Sequence, residues 1–397
     1  MTTSNASQDS LLSGLNDKQL EAVTLPHQSA LILAGAGSGK TKVLTSRIAH
    51  LMHSGVDSFN ILALTFTNKA AAEMKERVEK ALGNTEARNL YIGTFHSVFA
   101  RILRAEAAKL GYPQSFTIYD TDDSRSVLKQ VINDMGLDDK LYKPNVVHNR
   151  ISSAKNALVG PSEYAMDNFL KQEDARANRP QIAEIYASYV ARCFKSGAMD
   201  FDDLLFKMHE LLRDFPEVLH KYQHKFKYIL IDEYQDTNAA QYKLIKLLTS
   251  AAQNICVVGD DWQSIYGFRG SDVSFILNFE NQYENAEVHK LDINNRSNQT
   301  IVGASNEVIK NNKNQLFKDV SAYNKAPSKI ELFSAKIIKD DGVDFLVQKV
   351  SELYNKGLGK DDILVLYRRS KMFDPFFQKL KENNLQVSSK TIHASKG

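Results

Sequence analysis

The sequence has 397 residues, of which 43% are hydrophobic and 24% charged, with a formal net charge of +3. This length exceeds what one hydrophobic core organises, so we expect two or three domains in a globular protein and not a fibrous or disordered chain. No apolar run approaches membrane length and the start, MTTSNASQDS, is polar, so we expect neither a membrane span nor a signal peptide. Cys193 and Cys256 form no disulfide framework or zinc pattern, which favours a reducing compartment, and we expect a cytoplasmic protein.

Short apolar runs recur along the chain, with helical patterns between most of them. They lie at Leu31–Ala34, Ile61–Phe66, Tyr228–Asp232, Ile255–Gly259 and Val288–Ile293. Such runs are typical of buried parallel strands joined by crossover helices. The sequence therefore predicts an α/β fold with a parallel sheet.

Between Ser97 and Asp200 the strand pattern fades and helical periodicity replaces it. The predicted helices, separated by glycine and proline, are Arg101–Leu110, Ser124–Met135, Val146–Ala157 and Ile182–Phe194. We expect a flexible tail at 1–12, an α/β domain from 13–96 and 200–300, and a helical insertion at 97–199.

The α/β pattern returns after Lys329. A strand is predicted at Ile330–Phe333, a helix at Val343–Tyr354 and another strand at Ile363–Tyr367. Residues 301–397 are therefore expected to form part of a second α/β domain.

The stretch Ala34–Thr41, AGAGSGKT, joins the first predicted strand to a helical pattern. Backbone N–H groups of a glycine-rich turn, together with the N-terminus of the next helix, form a cradle for phosphate groups. In this context Lys40 is expected to reach the β- and γ-phosphates of a nucleotide, and the Thr41 hydroxyl to bind Mg²⁺. Ala34 stands where the usual pattern has glycine, and a small residue still fits there. A turn without a ligand is the competing interpretation. The predicted nucleotide contacts are Ala36, Gly37, Ser38, Gly39, Lys40 and Thr41.

A second signal is Tyr228–Asp236, YILIDEYQD, in which an apolar run ends in paired carboxylates. Ligands of open α/β sheets bind at the carboxyl ends of the strands. Asp232 can hold Mg²⁺ through its oxygens, and Glu233 can orient or deprotonate a water that attacks the γ-phosphate. A solvated strand end is the ordinary explanation of an Asp-Glu pair. The phosphate loop upstream favours nucleotide hydrolysis instead.

Four more stretches complete the pattern: Ile61–Ala71 (ILALTFTNKAA), Gly93–Ser97 (GTFHS), Asp200–Leu204 (DFDDL) and Val257–Gly270 (VVGDDWQSIYGFRG). With them the chain resembles the UvrD/Rep/PcrA family of superfamily 1 DNA helicases and translocases. The order and spacing of the motifs match from Leu15 to about Arg369, and again at Thr391–Gly397.

The resemblance implies a RecA-like P-loop motor domain with a helical insertion, followed by an incomplete second RecA-like domain. It also implies an ATP- and Mg²⁺-dependent enzyme that translocates on single-stranded DNA or unwinds duplex/single-strand junctions. The implied polarity is 3′→5′ and the implied setting is DNA repair or replication. Protein partners are not indicated.

Individual residues match the family's functional positions. Gln19 matches the glutamine that reads the adenine edge, Gln263 the γ-phosphate sensor, and Arg296 the arginine that stabilises charge on the transferring phosphoryl group. The residues matching or neighbouring the single-strand track are Phe66, Thr67, Asn68, Thr94, His96, Phe201, Tyr266, Phe268 and Arg269. Stacking on aromatic rings suits this task because every base has a π-face. Core packing is the competing interpretation for each aromatic, including Phe95, and His96 could equally be an ordinary loop histidine.

Three positions depart from the family pattern. Phe268 stands where tryptophan is usual, and it offers a base a smaller face. Trp262 replaces a small or acidic residue, which is expected to place the only tryptophan near the junction of the nucleotide and DNA sites. Asn295 replaces a tyrosine that stacks on adenine, so selectivity for the base is expected to weaken and to depend on Gln19.

The C-terminal region departs further. Val365–Arg369 resembles the start of a conserved block of the second motor domain, and Thr391–Gly397 resembles a later motif. The family's helical accessory domain is not found between them, and Ser388–Lys390 resembles a join. The last motif of the family, which brings a second arginine to the γ-phosphate, is also not found. We therefore expect the 397 residues to bind ATP–Mg²⁺ and DNA, to hydrolyse ATP slowly, and not to unwind a duplex with a 3′ single-stranded tail.

Two other functions are compatible with the sequence. One is the motor portion of a helicase–nuclease, although no nuclease motif is found in the chain. The other is a nucleotide-gated DNA-binding module with little turnover. Steady ATP hydrolysis stimulated by single-stranded DNA would distinguish an enzyme from such a module.

Overall fold

The computed structural model describes residues 12–26, 28–83, 89–251, 254–334, 342–367, 370–383 and 385. The chain divides into two compact units, Met1–Ala326 and Pro327–Gly397. The predicted tail and the motif at Thr391–Gly397 lie outside the described residues, as do Arg368 and Arg369.

A parallel sheet forms the centre of the first unit. The strands of this unit, numbered in chain order, are β1 (Ala30–Ala34), β2 (Ile61–Thr65), β3 (Tyr91–Thr94), β4 (Thr117–Tyr119), β5 (Ala198–Asp200), β6 (Tyr228–Ile231), β7 (Ile255–Gly259), β8 (Glu287–Leu291), β9 (Ile293–Asn298) and β10 (Ser321–Asn324). The central sheet has the order β3-β2-β6-β7-β1-β8, and all its neighbouring strands are parallel. The predicted α/β fold with a parallel sheet is confirmed.

Alternate residues of the central strands enter cores on opposite faces of the sheet. Leu31 and Leu33 of β1 belong to one apolar cluster, whereas Ile32 and Ala34 belong to another. A strand buried on both faces needs an unbroken apolar run, which is why ALILA forms β1. The helices of the first unit outside the insertion are Asp17–Thr24, Lys40–His53, Asn68–Leu82, Phe95–Glu106, Asp203–Asp214, Pro216–Lys225, Ala239–Thr249, Ser274–Leu277, Phe279–Gln282 and Gln299–Ile309.

The insertion is helical, as predicted, and has its own apolar core. Its helices are Thr121–Asp134, Pro144–Asn156, Pro161–Met166, Asn168–Arg176 and Ile182–Lys195. The short strands β4 and β5 pair in parallel within it, and the sequence did not predict them. Strands of three residues are too short to show the alternation by which a strand is recognised.

A small parallel pair lies next to the central sheet. β9 follows β8 almost directly and pairs with β10, and the helix Gln299–Ile309 connects the two strands. All of these residues belong to the first unit. Gly35 donates its N–H to Leu291 O at 3.0 Å, so the end of β8 lies beside the turn after β1.

The second unit contains the helices Val343–Asn355 and Ser370–Glu382, which share a small apolar cluster. The predicted helix is confirmed, but no strand is assigned at Ile330–Phe333 or Ile363–Tyr367. Leu332 and Leu364 of these segments are 96% and 79% exposed. The strand predictions were wrong because a strand needs a hydrogen-bonded neighbour, and no described residue pairs with either segment. Within the described ranges, none of the helices combines the length and apolarity that crossing a bilayer requires.

Candidate nucleotide site and nucleic-acid interface

The turn after β1 has the backbone geometry of a phosphate-binding loop. Gly37 and Gly39 adopt left-handed φ angles of +68° and +90°, which side-chain-bearing residues rarely adopt. Lys40 follows as the first residue of the helix Lys40–His53. The unpaired N–H groups of that helix N-terminus therefore face the turn, where they favour an anion.

The residues of the turn fit a phosphate group. The Ser38 side chain is buried, and its hydroxyl has no hydrogen-bond partner among the described residues. A buried unpaired hydroxyl is unfavourable unless a ligand or water completes it. Gly37 permits a close approach of Asn294 to this turn, since a Cβ on Gly37 would lie only 2.8 Å from Asn294 Oδ1.

Gln19 supports this turn from the helix Asp17–Thr24. Its Nε2 donates to Ser38 O at 2.8 Å, while its Oε1 accepts the Asn16 N–H at 3.2 Å as part of a capping box. A Cβ on Gly39 would lie 2.8 Å from Gln19 Nε2, so only glycine permits this close approach. Gln19 thus lies beside the candidate phosphate loop, and its contact with adenine stays a prediction.

Asn294 of β9 holds the same turn from the other side, and sequence reasoning missed it. Its Nδ2 donates to Ala36 O at 2.7 Å. Its Oδ1 accepts the backbone N–H groups of Arg296 and Ser297 at 2.8 and 2.7 Å. One buried amide therefore fixes both the phosphate loop and the backbone that carries Arg296.

Arg296 lies directly over the phosphate loop. A Cβ on Gly37 would be 2.8 Å from Arg296 Cβ, and the neighbouring Asn295 N–H donates to Gly37 O at 2.9 Å. The Arg296 side chain is exposed and makes no ion pair with any residue in the described part of the chain. Asn295 is also exposed, so this position offers no aromatic surface to a base.

The paired carboxylates follow β6, as predicted. Asp232 is buried, and its Oδ1 accepts the Glu233 N–H at 3.0 Å. Burial, followed by the neighbouring Glu233 charge, raises the pKa of Asp232 to about 6. Glu233 has a left-handed φ of +49°, and its Oε2 lies 3.1 Å from Lys40 Nζ. The structure thus brings the two strongest sequence signals into contact.

Gln235 extends this contact and was also missed. Its Nε2 donates to Glu233 Oε2 at 2.9 Å, and its Oε1 accepts the Asp260 N–H at 2.9 Å. The exposed Gln263 donates in turn to Asp260 Oδ2 at 2.6 Å. Hydrogen bonds therefore connect Lys40 to Gln263 through residues at the ends of β6 and β7.

Thr41 and Asp232 remain the candidate Mg²⁺ ligands. Within the described ranges, no group of three or more His, Cys, Asp or Glu side chains could hold a metal ion. Mg²⁺ in nucleotide sites is ordinarily held by one or two protein oxygens together with phosphates and water. The hydroxyl and carboxylate present fit that mode of binding.

Two of the candidate nucleic-acid contacts, which lie just after β2 and at the end of β3, are N-cap residues of the helices that follow. Thr67 caps the helix Asn68–Leu82 by accepting the Ala70 N–H, and Asn68 is exposed. Thr94 caps the helix Phe95–Glu106 in the same way. These hydroxyls shape the helix ends, and their contact with DNA stays a prediction.

The aromatic candidates differ in burial. Phe95 is a core residue, and the partly buried Phe66 packs on it with ring centroids 5.5 Å apart. His96 stacks on Phe201 at 3.9 Å with the rings inclined by 22°. Burial lowers the pKa of His96 to about 4, so the ring is neutral at pH 7. Core packing thus explains Phe95, whereas His96 and Phe201 form a stacked pair.

The stretch Tyr266–Arg269 carries the most exposed aromatic residue of these candidates. Phe268 is 78% exposed, which excludes core packing as its explanation. Its ring centroid lies 6.0 Å from that of Tyr266, and Arg269 Cζ lies within 6 Å of both ring centroids. Two rings and a cation on one short segment could stack bases and contact a phosphate.

Comparison with known proteins agrees with this geometry. Residues 15–284 match the family model of the UvrD/REP helicase N-terminal domain, and residues 289–395 match the UvrD-like helicase C-terminal domain. The chain is 42% identical over 375 residues to the ATP-dependent DNA helicase PcrA of Staphylococcus aureus (strain Mu50 / ATCC 700699), covering 94% of this chain and 50% of that protein. It is 46% identical over 367 residues to the Bacillus subtilis (strain 168) protein of the same name, covering 92% and 48%. The chain spans about half the length of these curated relatives. On the strength of these matches, the chain belongs to the UvrD/REP helicase family.

Proposed function

We propose that this chain is the motor portion of an ATP-dependent DNA helicase that translocates 3′→5′ on single-stranded DNA in repair or replication. The observation that carries the proposal is the contact between Lys40 of the phosphate loop and Glu233, beside the buried Asp232. A nucleotide-binding protein needs only the phosphate loop. The carboxylate pair at the end of β6 adds groups suited to hydrolysis.

Each residue of the site has a distinct task in this proposal. Lys40 and the turn N–H groups bind phosphate oxygens, and Glu233 accepts the proton of the attacking water. Gln235 keeps Glu233 Oε2 oriented through their 2.9 Å hydrogen bond. Arg296 stabilises negative charge that develops on the transferring phosphoryl group. Bound Mg²⁺, held by Thr41 and Asp232, would neutralise part of the phosphate charge.

The proposed track for DNA runs over aromatic and polar surface. The exposed Phe268, with Tyr266 and Arg269, supplies stacking and a positive charge. The His96–Phe201 pair and the exposed Thr67 and Asn68 supply further contacts. Such contacts tolerate any base, as a motor moving along DNA requires. Junctions of duplex and single-stranded DNA are the proposed substrate.

Turnover assays test the enzymatic part. Wild type should hydrolyse ATP faster with single-stranded DNA than without it. Lys40→Ala should remove turnover and Glu233→Gln should keep ATP binding while losing turnover, because an amide cannot accept the proton. Lys42→Ala is the matched control, because the exposed Lys42 bonds Gly14 O outside the site. Equal turnover in Lys40→Ala and wild type would overturn the assignment.

Tailed duplexes test the motor part. In a version of the chain extended through the family's last motif, unwinding of a duplex with a 3′ single-stranded tail, and not of one with a 5′ tail, is the expected result for 3′→5′ movement. The opposite preference would overturn the polarity. A nucleotide-dependent change in DNA affinity without turnover would instead identify a nucleotide-gated DNA-binding module.

A further inference from the structure

A buried lysine lies outside every motif that the sequence singled out. The Lys318 side chain is 0% exposed, and its Nζ lies 2.6 Å from Asp260 Oδ1 and 2.5 Å from Asp261 Oδ1. Both carboxylates are 1% exposed. One ammonium group thus faces two carboxylates in a site without solvent.

Lys318 fastens the segment before β10 to the segment after β7. Its Nζ also lies 4.4 Å from the ring centroid of Trp262, and Leu316 N donates to Asp261 Oδ2 at 2.8 Å. Two residues beyond Lys318, Val320 approaches the phosphate loop, because a Cβ on Gly35 would lie 2.9 Å from Val320 Cγ2. This segment therefore contacts both the nucleotide loop and the Asp260–Gln263 turn.

Asp260 is the point where these contacts meet. Its backbone N–H donates to Gln235, which in turn bonds Glu233 beside Lys40. Its two carboxylate oxygens have different partners: Oδ1 faces Lys318 and also accepts the Trp262 N–H at 3.2 Å, and Oδ2 accepts from Gln263 at 2.6 Å. Lys318 supplies the only positive charge among these contacts and, together with the Trp262 N–H, holds Oδ1, so that Oδ2 is left for Gln263.

We propose that Lys318 is a positioning residue that sets the orientation of Gln263 through Asp260, and thereby couples the nucleotide site to the stretch Tyr266–Arg269. The inference rests on the proposed function and on the role of γ-phosphate sensor that the family resemblance implies for Gln263. A buried ion pair is weak evidence for a purely stabilising role, because apolar residues of similar size often stabilise as well. In the Lys318–Asp260 pair the lysine also has a geometric role, because the two carboxylate oxygens of Asp260 bind different partners.

The test measures coupling, using wild type and Lys318→Met, which keeps the length of the side chain and removes its charge. The ratio of DNA-stimulated to basal ATP turnover should fall by about tenfold in Lys318→Met. The KM for ATP should change little, because the phosphate loop and its own contacts remain. Lys318→Arg, which retains the charge, should restore most of the ratio. Lys310→Met, at an exposed lysine beyond the helix Gln299–Ile309, is the control.

Trp262 supplies a second readout. As the only tryptophan, with the Lys318 cation over its ring, it should change its fluorescence when ATP and Mg²⁺ bind to wild type. Lys318→Met should lose most of that change while still binding a fluorescent ATP analogue. If Lys318 were merely structural, Lys318→Met would either keep both the fluorescence change and the binding of the ATP analogue or lose both together.

One further variant covers the case in which Lys318→Met does not fold. Asp260→Asn combined with Lys318→Met leaves one buried carboxylate and no lysine, so the net buried charge equals that of wild type. This double variant should fold and should lose the coupling. The inference would be overturned if a folded single or double variant kept the wild-type stimulation of ATP turnover by DNA. It would also be overturned if the variant lost ATP affinity together with that stimulation. Failure of wild type itself to bind ATP would instead overturn the proposed function.

Discussion

At the scale of single residues, the backbone of Glu233 explains how its side chain meets Lys40. A non-glycine residue at φ of +49° is uncommon and costs about 1–3 kcal/mol. Two contacts of its Oε2, to Lys40 at 3.1 Å and to Gln235 at 2.9 Å, offset that cost. Strain of this kind is typical of functional sites, which agrees with the role proposed for Glu233.

His96 allows a prediction about pH. Its folded-state pKa of about 4 lies below the usual 6.5, so the unfolded chain binds a proton first as the pH falls. Above pH 6.5, His96 is neutral in both the folded and the unfolded chain and costs no stability. Between about pH 6.5 and 4 the free energy of unfolding falls, by at most about 3 kcal/mol, because only the unfolded chain binds the proton.

His96→Phe, which keeps a ring against Phe201, should remove that part of the acid sensitivity. Urea unfolding at a series of pH values would measure it, with His53→Phe, at an exposed histidine, as the control. The same pH profile in His96→Phe and wild type would contradict the prediction.

Residue type and spacing predicted Lys40, Asp232 and Glu233, because a phosphate loop and a strand-end carboxylate pair are local patterns. Asn294, Gln235 and Lys318 could not be found in that way. Each of them has at least one partner far away in sequence, as in the bond from Asn294 to Ala36, and folding alone brings such partners together. An asparagine, a glutamine or a lysine carries no local signal of such a role.

At the scale of elements, sequence patterns succeeded where burial is extensive. The β1 and β7 runs were recognisable because all their residues are buried. β4 and β5 were missed because each has only three residues, too few to show a strand pattern. They are strands because they pair with each other in the folded chain. The runs at Ile330–Phe333 and Ile363–Tyr367 have strand composition, yet composition alone supplies no partner.

Lys155 joins three elements of the first unit: its own helix Pro144–Asn156, β5 and the helix Asp203–Asp214. Its Nζ lies 2.6 Å from Asp200 Oδ2, at the end of β5, and 2.8 Å from Asp203 Oδ1, at the start of the helix Asp203–Asp214. Burial raises the pKa of Asp203, with the Asp200 charge adding to the effect. Burial also opposes the ionisation of Asp200, but Lys155 outweighs it and lowers that pKa. Between these aspartates lies Phe201, the partner of His96.

Lys155→Met should therefore lower the free energy of unfolding by about 3–5 kcal/mol, because it leaves buried carboxylates without a counter-charge. Denaturant titration would measure the loss. Lys171→Met, at an exposed lysine of the insertion, should change it by less than about 0.5 kcal/mol. A fully stable Lys155→Met would show that the two aspartates are not both charged.

At the scale of the whole molecule, net charge does not explain an affinity for DNA. The chain has 50 Lys and Arg against 47 Asp and Glu, so long-range attraction is weak. The proposed affinity for DNA would then come from local contacts. Base stacking and phosphate pairing are two such contacts, and they respond differently to salt. Stacking is insensitive to ionic strength, whereas each phosphate contact releases condensed counterions.

This difference predicts separable effects for two neighbouring residues. Phe268→Ala should weaken single-stranded DNA binding by about 1–3 kcal/mol at every salt concentration. Arg269→Gln should make the slope of log K against log salt concentration shallower by about 0.7, the contribution of one phosphate on a single strand. Fluorescence polarisation with oligonucleotides of different sequence, at about 50 to 200 mM salt, would measure both effects. Phe169→Ala, at a phenylalanine that is 67% exposed but outside the predicted motifs, is the control. If Phe268→Ala changed the slope and left the affinity at low salt intact, Phe268 would act by placing Arg269 and not by stacking on a base.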